Sequence, residues 1–422
     1  MTQRYDTYKD SGMQWLGEIP GHWGCVSLRK FLRIFSEKNC GDKQLLSVTR
    51  EQGVVVRDIS SKEDNHNFIP NDLSGYKHVQ IGNFVINKMK SWQGSYGVSN
   101  YEGIVSPAYY TCKLEGINKT FFNLAIRSKI YVSFFGRYSK GIRVDQWDLS
   151  PVALKSIPFA VPPLSEQRSI VSFLDAKCGK IDEWVTKKQK EVEHLQELKQ
   201  RVIADAVTRG LNPHVKMKTT NIPWIKEIPE HWEIYRYGTL FKLKPVKQHH
   251  GEELLSVFLN LGVIRAAESD KRTHAASEDL SKYQLVEETD FVMNNQQAWR
   301  GSVGVSKLVG IISPAYHIFK MPNCMFPDYA NYLLRSKCMV SQFEMSSRGV
   351  GSIQRTLNFN WLNNKIVPVP PLSEQRSIVS YLDAKSSKID KLIANITKEI
   401  ECIKEYKQRL ISDVVTGQIK VC

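Results

Sequence analysis

Residues 161–177 read VPPLSEQRSIVSFLDAK, and residues 369–385 read VPPLSEQRSIVSYLDAK. Sixteen of the seventeen positions are identical, 208 positions apart. Outward from this pair, further echoes keep the same order. WLGEIPGHW (Trp15–Trp23) returns as WIKEIPEHW (Trp224–Trp232), and LSGYKHVQIGNFVIN from Leu73 returns as LSKYQLVEETDFVMN from Leu280. GVSNYEGIVSPAYY from Gly97 is answered by GVSKLVGIISPAYH from Gly304. The offsets stay between 207 and 209, a short insertion intrudes at Val350–Gln354, and KQRVIADAVTRG finally faces KQRLISDVVTGQ. One unit, repeated in tandem, fills the chain.

Each repeat changes texture once. Its first ~160 residues carry short alternating apolar runs such as NFVINKM, punctuated by Gly, Asn and Ser, which predicts strands and turns with a few helices between. After Pro162-Pro163 the pattern turns helical. Ser165 is placed to cap a helix and Glu166 to meet its positive end. Ile170, Val171, Phe173 and Leu174 then share one face, with a weak point expected near Cys178-Gly179. Beyond it a 4-3 spacing runs through Ile181, Val185, Lys188, Val192, Leu195, Lys199, Val202 and Ala206. Its counterpart runs through Ile389, Ile393, Ile396, Ile400, Ile403, Lys407, Leu410 and Val414. Such seams predict a coiled coil, each helix partnering the other, whereas two separate helices lying on their own domains is the alternative. Lys199 and Lys407 interrupt the seams at equivalent places, either snorkelling outward or fixing register.

The expected class is therefore α+β: two mixed domains at 1–160 and 211–368, with helical spacers at 161–210 and 369–422. Antiparallel pairing of the helices would relate the domains by an approximate two-fold axis. From Ile181 to Ala206 the seam would span roughly 39 Å at ~1.5 Å per residue, about one turn of DNA.

Composition limits the function. The chain has 422 residues, 42% hydrophobic and 24% charged, enough for two cores. A net charge of +15 and a pI near 9.3 favour a polyanionic partner, nucleic acid or an anionic membrane surface. No apolar run approaches the ~20 residues of a membrane helix, so no membrane role and a cytoplasmic location are expected. The eight cysteines form no C-x-x-C pair and read as reduced packing residues rather than metal ligands. Phosphate-loop, dinucleotide and H-E-x-x-H motifs are absent, His249-His250 sits in a polar run that reads as a solvated loop, and Pro162-Pro163 lacks the neighbours of an N-P-P-Y methyltransferase signature. Neither catalysis nor a bound cofactor is expected of this chain alone.

Binding chemistry is better represented. Residues 116–144 contain no acid but include Lys119, Arg127, Lys129, Arg137, Lys140 and Arg143, interleaved with Gly136 and Gly141. Residues 345–373 repeat this with Arg348, Arg355 and Lys365, and Gln354 lies among them. Acid-free basic segments suit a phosphate backbone. NKMKSWQGSYGVS (Asn87–Ser99) and NNQQAWRGSVGVS (Asn294–Ser306) share a frame of Asn, Trp, Gly-Ser and Gly-Val-Ser, with different residues inside it. Lys88, Met89, Lys90, Gln93 and Tyr96 become Asn295, Gln296, Gln297, Arg300 and Val303, beside Trp92 and Trp299. Arg and Lys match guanine edges, Asn and Gln adenine, so the two frames would read different sequences. Drift at exposed loop positions would leave the same differences.

The doubled P-P-L-S-E-Q-R-S-I before a long helix, the W-L-G-E-I-P-x-H-W opening of each half and the late S-P-A-Y stretch resemble the specificity subunits of type I restriction-modification enzymes. The resemblance covers essentially the whole chain. It implies that each half holds a target recognition domain for one part of a bipartite double-stranded DNA sequence, and that the helices set the gap and dock two methyltransferase (modification) subunits. Restriction subunits would join through the assembled complex. Glu166, Gln167 and Arg168, with Glu374, Gln375 and Arg376, are the expected partner contacts. A solitary subunit serving only a methyltransferase, and a coiled-coil scaffold that binds no DNA, are the rival readings.

Overall fold

The computed structural model describes residues 3–58, 69–70, 72–139, 147–222, 225–244, 252–259, 261–268, 280, 282–349 and 355–421. The chain divides into two units, residues 1–188 with 398–422, and residues 189–397.

In the first unit a four-stranded antiparallel sheet runs in the order Leu32–Phe35, Tyr109–Leu114, Phe84–Asn87, Tyr96–Val98. Cys112 stands opposite Ile34 on one side and Phe84 on the other, so these apolar side chains share a face. Two antiparallel pairs lie beside it, the hairpin Leu46–Thr49 with Gly53–Val56, and Lys77–Val79 with Gly103–Val105. The helix Lys119–Ile126, capped by the Asn118 side chain, buries Phe121, Phe122, Ala125 and Ile126. Lys129–Tyr138 follows it and buries Tyr131, Phe134 and Phe135. Gly24–Ser27 pairs with Pro158–Val161, which brings the two ends of the mixed domain together just before the long helix.

The second unit repeats this. Its sheet runs Lys242–Leu243, Tyr316–Lys320, Phe291–Asn294, Val303–Val305, again antiparallel. The ends meet where Glu233–Arg236 pairs with Ile366–Val369. Even close backbone approaches recur. A Cβ on Gly103 would lie 2.4 Å from the Gln44 carbonyl, and one on Gly310 would lie 2.4 Å from the Glu253 carbonyl.

The long helices are Leu164–Arg209 and Leu372–Val415. The first opens one residue ahead of Ser165, which therefore lies inside the first turn and does not cap it. It also passes through Cys178-Gly179 without a break. An exposed glycine in a helix costs only about 1 kcal/mol, less than the packing on either side supplies. Within the first unit Leu410, Val414 and Val415 join Ile170, Leu174 and Trp23 in one apolar cluster. Further along, Lys407 Nζ lies 2.6 Å from Asp182 Oδ1. Within the second unit Ile203, Ala206 and Val207 pack with Ile378, Val379, Leu382 and Trp232, and Lys199 Nζ lies 2.7 Å from Asp390 Oδ2. In both, residue numbers rise on one helix as they fall on the other, so the helices pair antiparallel and the separate-helix alternative fails.

All the seam positions are buried or half-buried, with Val185, Ala206, Ile389, Ile396, Ile400, Leu410 and Val414 the most enclosed. A buried aliphatic side chain contributes roughly 1.5–3 kcal/mol, an exposed ion pair at most about 1. The apolar stripe supplies the stability, and the two seam lysines reach outward to carboxylates of the facing helix. Among the described residues no helix is long and apolar enough to cross a membrane.

Candidate nucleic-acid interface

The shared frame is a backbone device. Asn87 Oδ1 accepts from the Met89 amide at 3.2 Å, and Asn294 Oδ1 accepts from the Gln296 amide at 3.0 Å, which starts the same turn in each unit. A single 3-10 turn follows, Ser91–Gln93 or Ala298–Arg300, closed by Gly94 at φ 92° or Gly301 at φ 98°. Only glycine adopts that conformation without strain. Ser99 Oγ donates to the Tyr101 carbonyl, and Ser306 Oγ to the Leu308 carbonyl, both at 2.7 Å. The retained residues hold the loop.

Most of the residues that differ keep some access to solvent, as do the two retained tryptophans. Lys90, Gln296 and Arg300 are exposed, and Lys88, Gln93, Asn295, Gln297, Trp92 and Trp299 are half-buried. Tyr96 is a correction. It is fully buried with Val303 at the matching place, stacks on Phe135 and donates its hydroxyl to the Ile126 carbonyl at 3.1 Å. Burial pushes its phenol far above the usual range, so it packs the core and reads nothing. Asn295 is partly engaged as well, accepting from the Leu357 amide at 3.3 Å.

The acid-free segments converge on these loops. In the second unit the ribbon Ser347–Arg348 with Thr356–Leu357 carries the segment's arginines. Arg355 stacks 4.7 Å from the Trp299 ring centroid, Arg300 lies 5.7 Å from it, and Arg348 stacks 4.5 Å from Trp361. Trp299 donates its indole N–H to the Gln296 carbonyl at 3.0 Å. Arg355 also lies 3.5 Å from Glu344. The result is a patch of guanidinium planes held on indoles, each with donors left for a base edge or phosphate. In the first unit Ser91 meets Ser139 at 3.3 Å, Trp92 meets Trp147 with ring centroids 5.3 Å apart, and Lys88 pairs with Asp148 at 3.1 Å. Arg137 lies near the end of its helix, 5.9 Å from the Phe134 ring. Trp147 and Trp361 had no sequence signal beyond their place at or near the end of a basic stretch. Lys140, Arg143, Gln354 and His249-His250 lie outside the described residues. Arg127, one of the basic set, is internal: it donates to the Tyr96, Arg50 and Glu51 carbonyls, and burial lowers its guanidinium from the usual value.

Four polar side chains of the near-verbatim segment turn inward, which corrects the expectation that Glu166, Gln167, Glu374 and Gln375 face a partner. Glu166 accepts from His22 at 2.8 Å, from the Trp23 indole at 3.1 Å and from the Tyr5 hydroxyl. Glu374 meets His231 and Trp232 at the same two distances. Gln167 accepts from the Asn118 amide at 2.8 Å and donates to the Pro162 carbonyl at 2.9 Å. Gln375 accepts from the Phe326 amide at 2.7 Å and donates to the Cys324 and Pro370 carbonyls, both at 2.8 Å. These four side chains staple the mixed domain to the helix start. Arg168 and Arg376 remain exposed, Arg376 with its guanidinium 4.5 Å from the Phe326 ring.

Residues 309–402 match the family model of the type I restriction modification DNA specificity domain. The chain is 26% identical to the type I restriction enzyme MjaVIII specificity subunit of Methanocaldococcus jannaschii, over 96% of this chain and 94% of that protein. It is 24% identical to the EcoBI specificity subunit of Escherichia coli, over 73% and 68%. A solved chain from work on complex assembly and conformational transition of the type I R-M system superposes with a TM-score of 0.63 at 14% identity, covering 94% of this chain and 98% of that one. That likeness shows the fold. The chain's relatives are type I specificity subunits, as the doubled segment implied.

Proposed function

We propose that this chain is the DNA-recognition subunit of a type I restriction-modification assembly, non-catalytic itself, each half reading one part of a bipartite double-stranded sequence. The observation that carries this is the pairing of two loops with one backbone and different exposed side chains, each beside a basic segment. In the second half Gln296, Arg300, Arg348 and Arg355 do the reading and the phosphate contacts; in the first, Lys88, Lys90, Gln93 and Arg137. The antiparallel helices set the unread gap and dock two modification subunits through exposed residues such as Arg168 and Arg376, and restriction subunits join that complex. The chain acts in the cytoplasm.

Methylome sequencing of cells with and without the gene tests this. The expected result is a discontinuous two-part methylated motif that disappears with the gene. A gel shift with the modification subunit then checks binding to that motif. Failure to shift any DNA, alone or with the modification subunit, would favour the scaffold reading.

A further inference from the structure

Away from the loops discussed so far, a chemically distinct cluster sits in the first unit. Glu37 follows the strand Leu32–Phe35, Cys40 lies three residues on, and His78 is in the strand Lys77–Val79. One ligand atom from each falls within 4.8 Å of the others. The backbone fixes this arrangement, because the His78 amide donates to the Glu37 carbonyl at 2.8 Å and the Asn39 amide to the Ser74 carbonyl at 3.0 Å. His78 is 5% exposed. Its Nδ1 lies 3.1 Å from Glu37 Oε2 yet makes no hydrogen bond. Its other nitrogen, Nε2, lies 3.0 Å from Glu102 Oε1, which Lys43 holds at 2.7 Å.

We propose that Glu37, Cys40 and His78 bind Zn2+, with Glu102 orienting the histidine. A thiolate, an imidazole and a carboxylate are a borderline-soft set that suits zinc, whereas magnesium and calcium take oxygen ligands. Metal-bound histidines almost always donate their second N–H to a carboxylate or carbonyl, and Glu102 stands where that acceptor belongs. Zinc would bond to Nδ1, to the Cys40 sulfur and to a Glu37 oxygen, with water in the fourth position. Binding would release the Cys40 thiol proton to solvent, and the thiolate and carboxylate charges would balance the ion. The ion would tie the turn after Leu32–Phe35 to the strand of His78. The second repeat has Leu285 where the first has His78, so the site belongs to one half alone.

The test uses the full chain, purified without a histidine tag and stripped with a chelator. Dialysis against micromolar Zn2+ should restore one zinc ion per chain. Co2+ in its place should give a thiolate charge-transfer band and the strong visible bands of a tetrahedral site. Cys40→Ser should abolish the charge-transfer band and His78→Leu the tight uptake, while Glu102→Gln should weaken affinity about 10- to 100-fold. Cys402→Ser, at an exposed thiol on the second long helix, should change nothing. Circular dichroism checks that each variant is folded, and Cys40, half-buried in a turn, is the more tolerant position. The proposal is overturned if the wild-type chain takes up no zinc, or if Cys40→Ser keeps both affinity and band.

Discussion

Replacing Gln167 with methionine tests whether the near-verbatim segment serves folding. The two side chains are similar in length, so the change removes hydrogen bonds with little change of volume. Two groups lose their partners, the Asn118 amide and the Pro162 carbonyl. Each buried group left unmatched costs about 1–3 kcal/mol, so about 2 to 6 kcal/mol of stability should be lost. Against a domain stability of about 5–15 kcal/mol this is severe. At a urea m-value of about 2 kcal/mol/M it moves the midpoint by roughly 1–3 M. Gln375→Met strands three groups, the Phe326 amide with the Cys324 and Pro370 carbonyls, and should cost more. Because the Asn118 side chain caps Lys119–Ile126, hydrogen exchange in Gln167→Met should accelerate first in that helix. In Gln375→Met it should accelerate first in Pro327–Arg335, the helix that Phe326 precedes. Urea titration by tryptophan fluorescence, with exchange mass spectrometry, reads both effects. Unchanged midpoints together with lost affinity for a modification subunit would refute the folding role and restore partner contact.

The remaining predictions concern recognition. Gln93→Ala should relax one half-site and Arg300→Ala the other, each by about 1–3 kcal/mol of discrimination; competition binding against base-substituted duplexes measures this, and no change in either half would remove the loops as readers. Arg348→Ala should weaken binding evenly across sequences and lower the salt slope by about one, measured by titration at several salt concentrations. Arg168→Glu with Arg376→Glu should lower affinity for modification subunits while leaving the urea midpoint in place, checked by sedimentation, and normal assembly would exclude both from docking. Deleting Lys187–Glu193 and Asn395–Glu401 together removes one heptad from each helix, about 10 Å of rise; the unread gap in the methylated motif should shorten by about three base pairs.

Much of the fold was legible because repetition and periodicity are written in the sequence itself. The 4-3 spacing located the seam, and its positions are indeed enclosed. The repeat predicted two domains of one kind, and the two sheets share their strand order. What stayed hidden depends on contacts across the chain. Nothing near Gln167 announces that its partner is the amide of Asn118, 49 residues away. Tyr96 was misread because it differs between the two frames, which the sequence cannot tell from a surface reader, yet it opens the strand Tyr96–Val98 and is fully buried. The Cys178-Gly179 break failed because propensity is weak against tertiary packing. Cysteine spacing alone does not point to the cluster of Glu37, Cys40 and His78, because it joins one cysteine to a glutamate just after one strand and a histidine within another.

At Glu166 and Gln167 the contrast between verbatim and drifting text has a physical cause. Glu166 and Gln167 answer to the Tyr5 hydroxyl, His22, the Trp23 indole and the Asn118 amide, all distant in the chain, and to the nearby Pro162 carbonyl. A change at either leaves a buried polar group unmatched, at a cost of about 1–3 kcal/mol per group. Lys90, Gln296 and Arg300 face solvent, where substitutions usually stay within about 0.5 kcal/mol of neutral. Folding therefore holds the first set fixed in both repeats and leaves the second set free. Residues that folding leaves free, mounted on a loop that folding fixes, are the ones whose identity a bound partner can select, and the two halves can then diverge in what they read without diverging in shape.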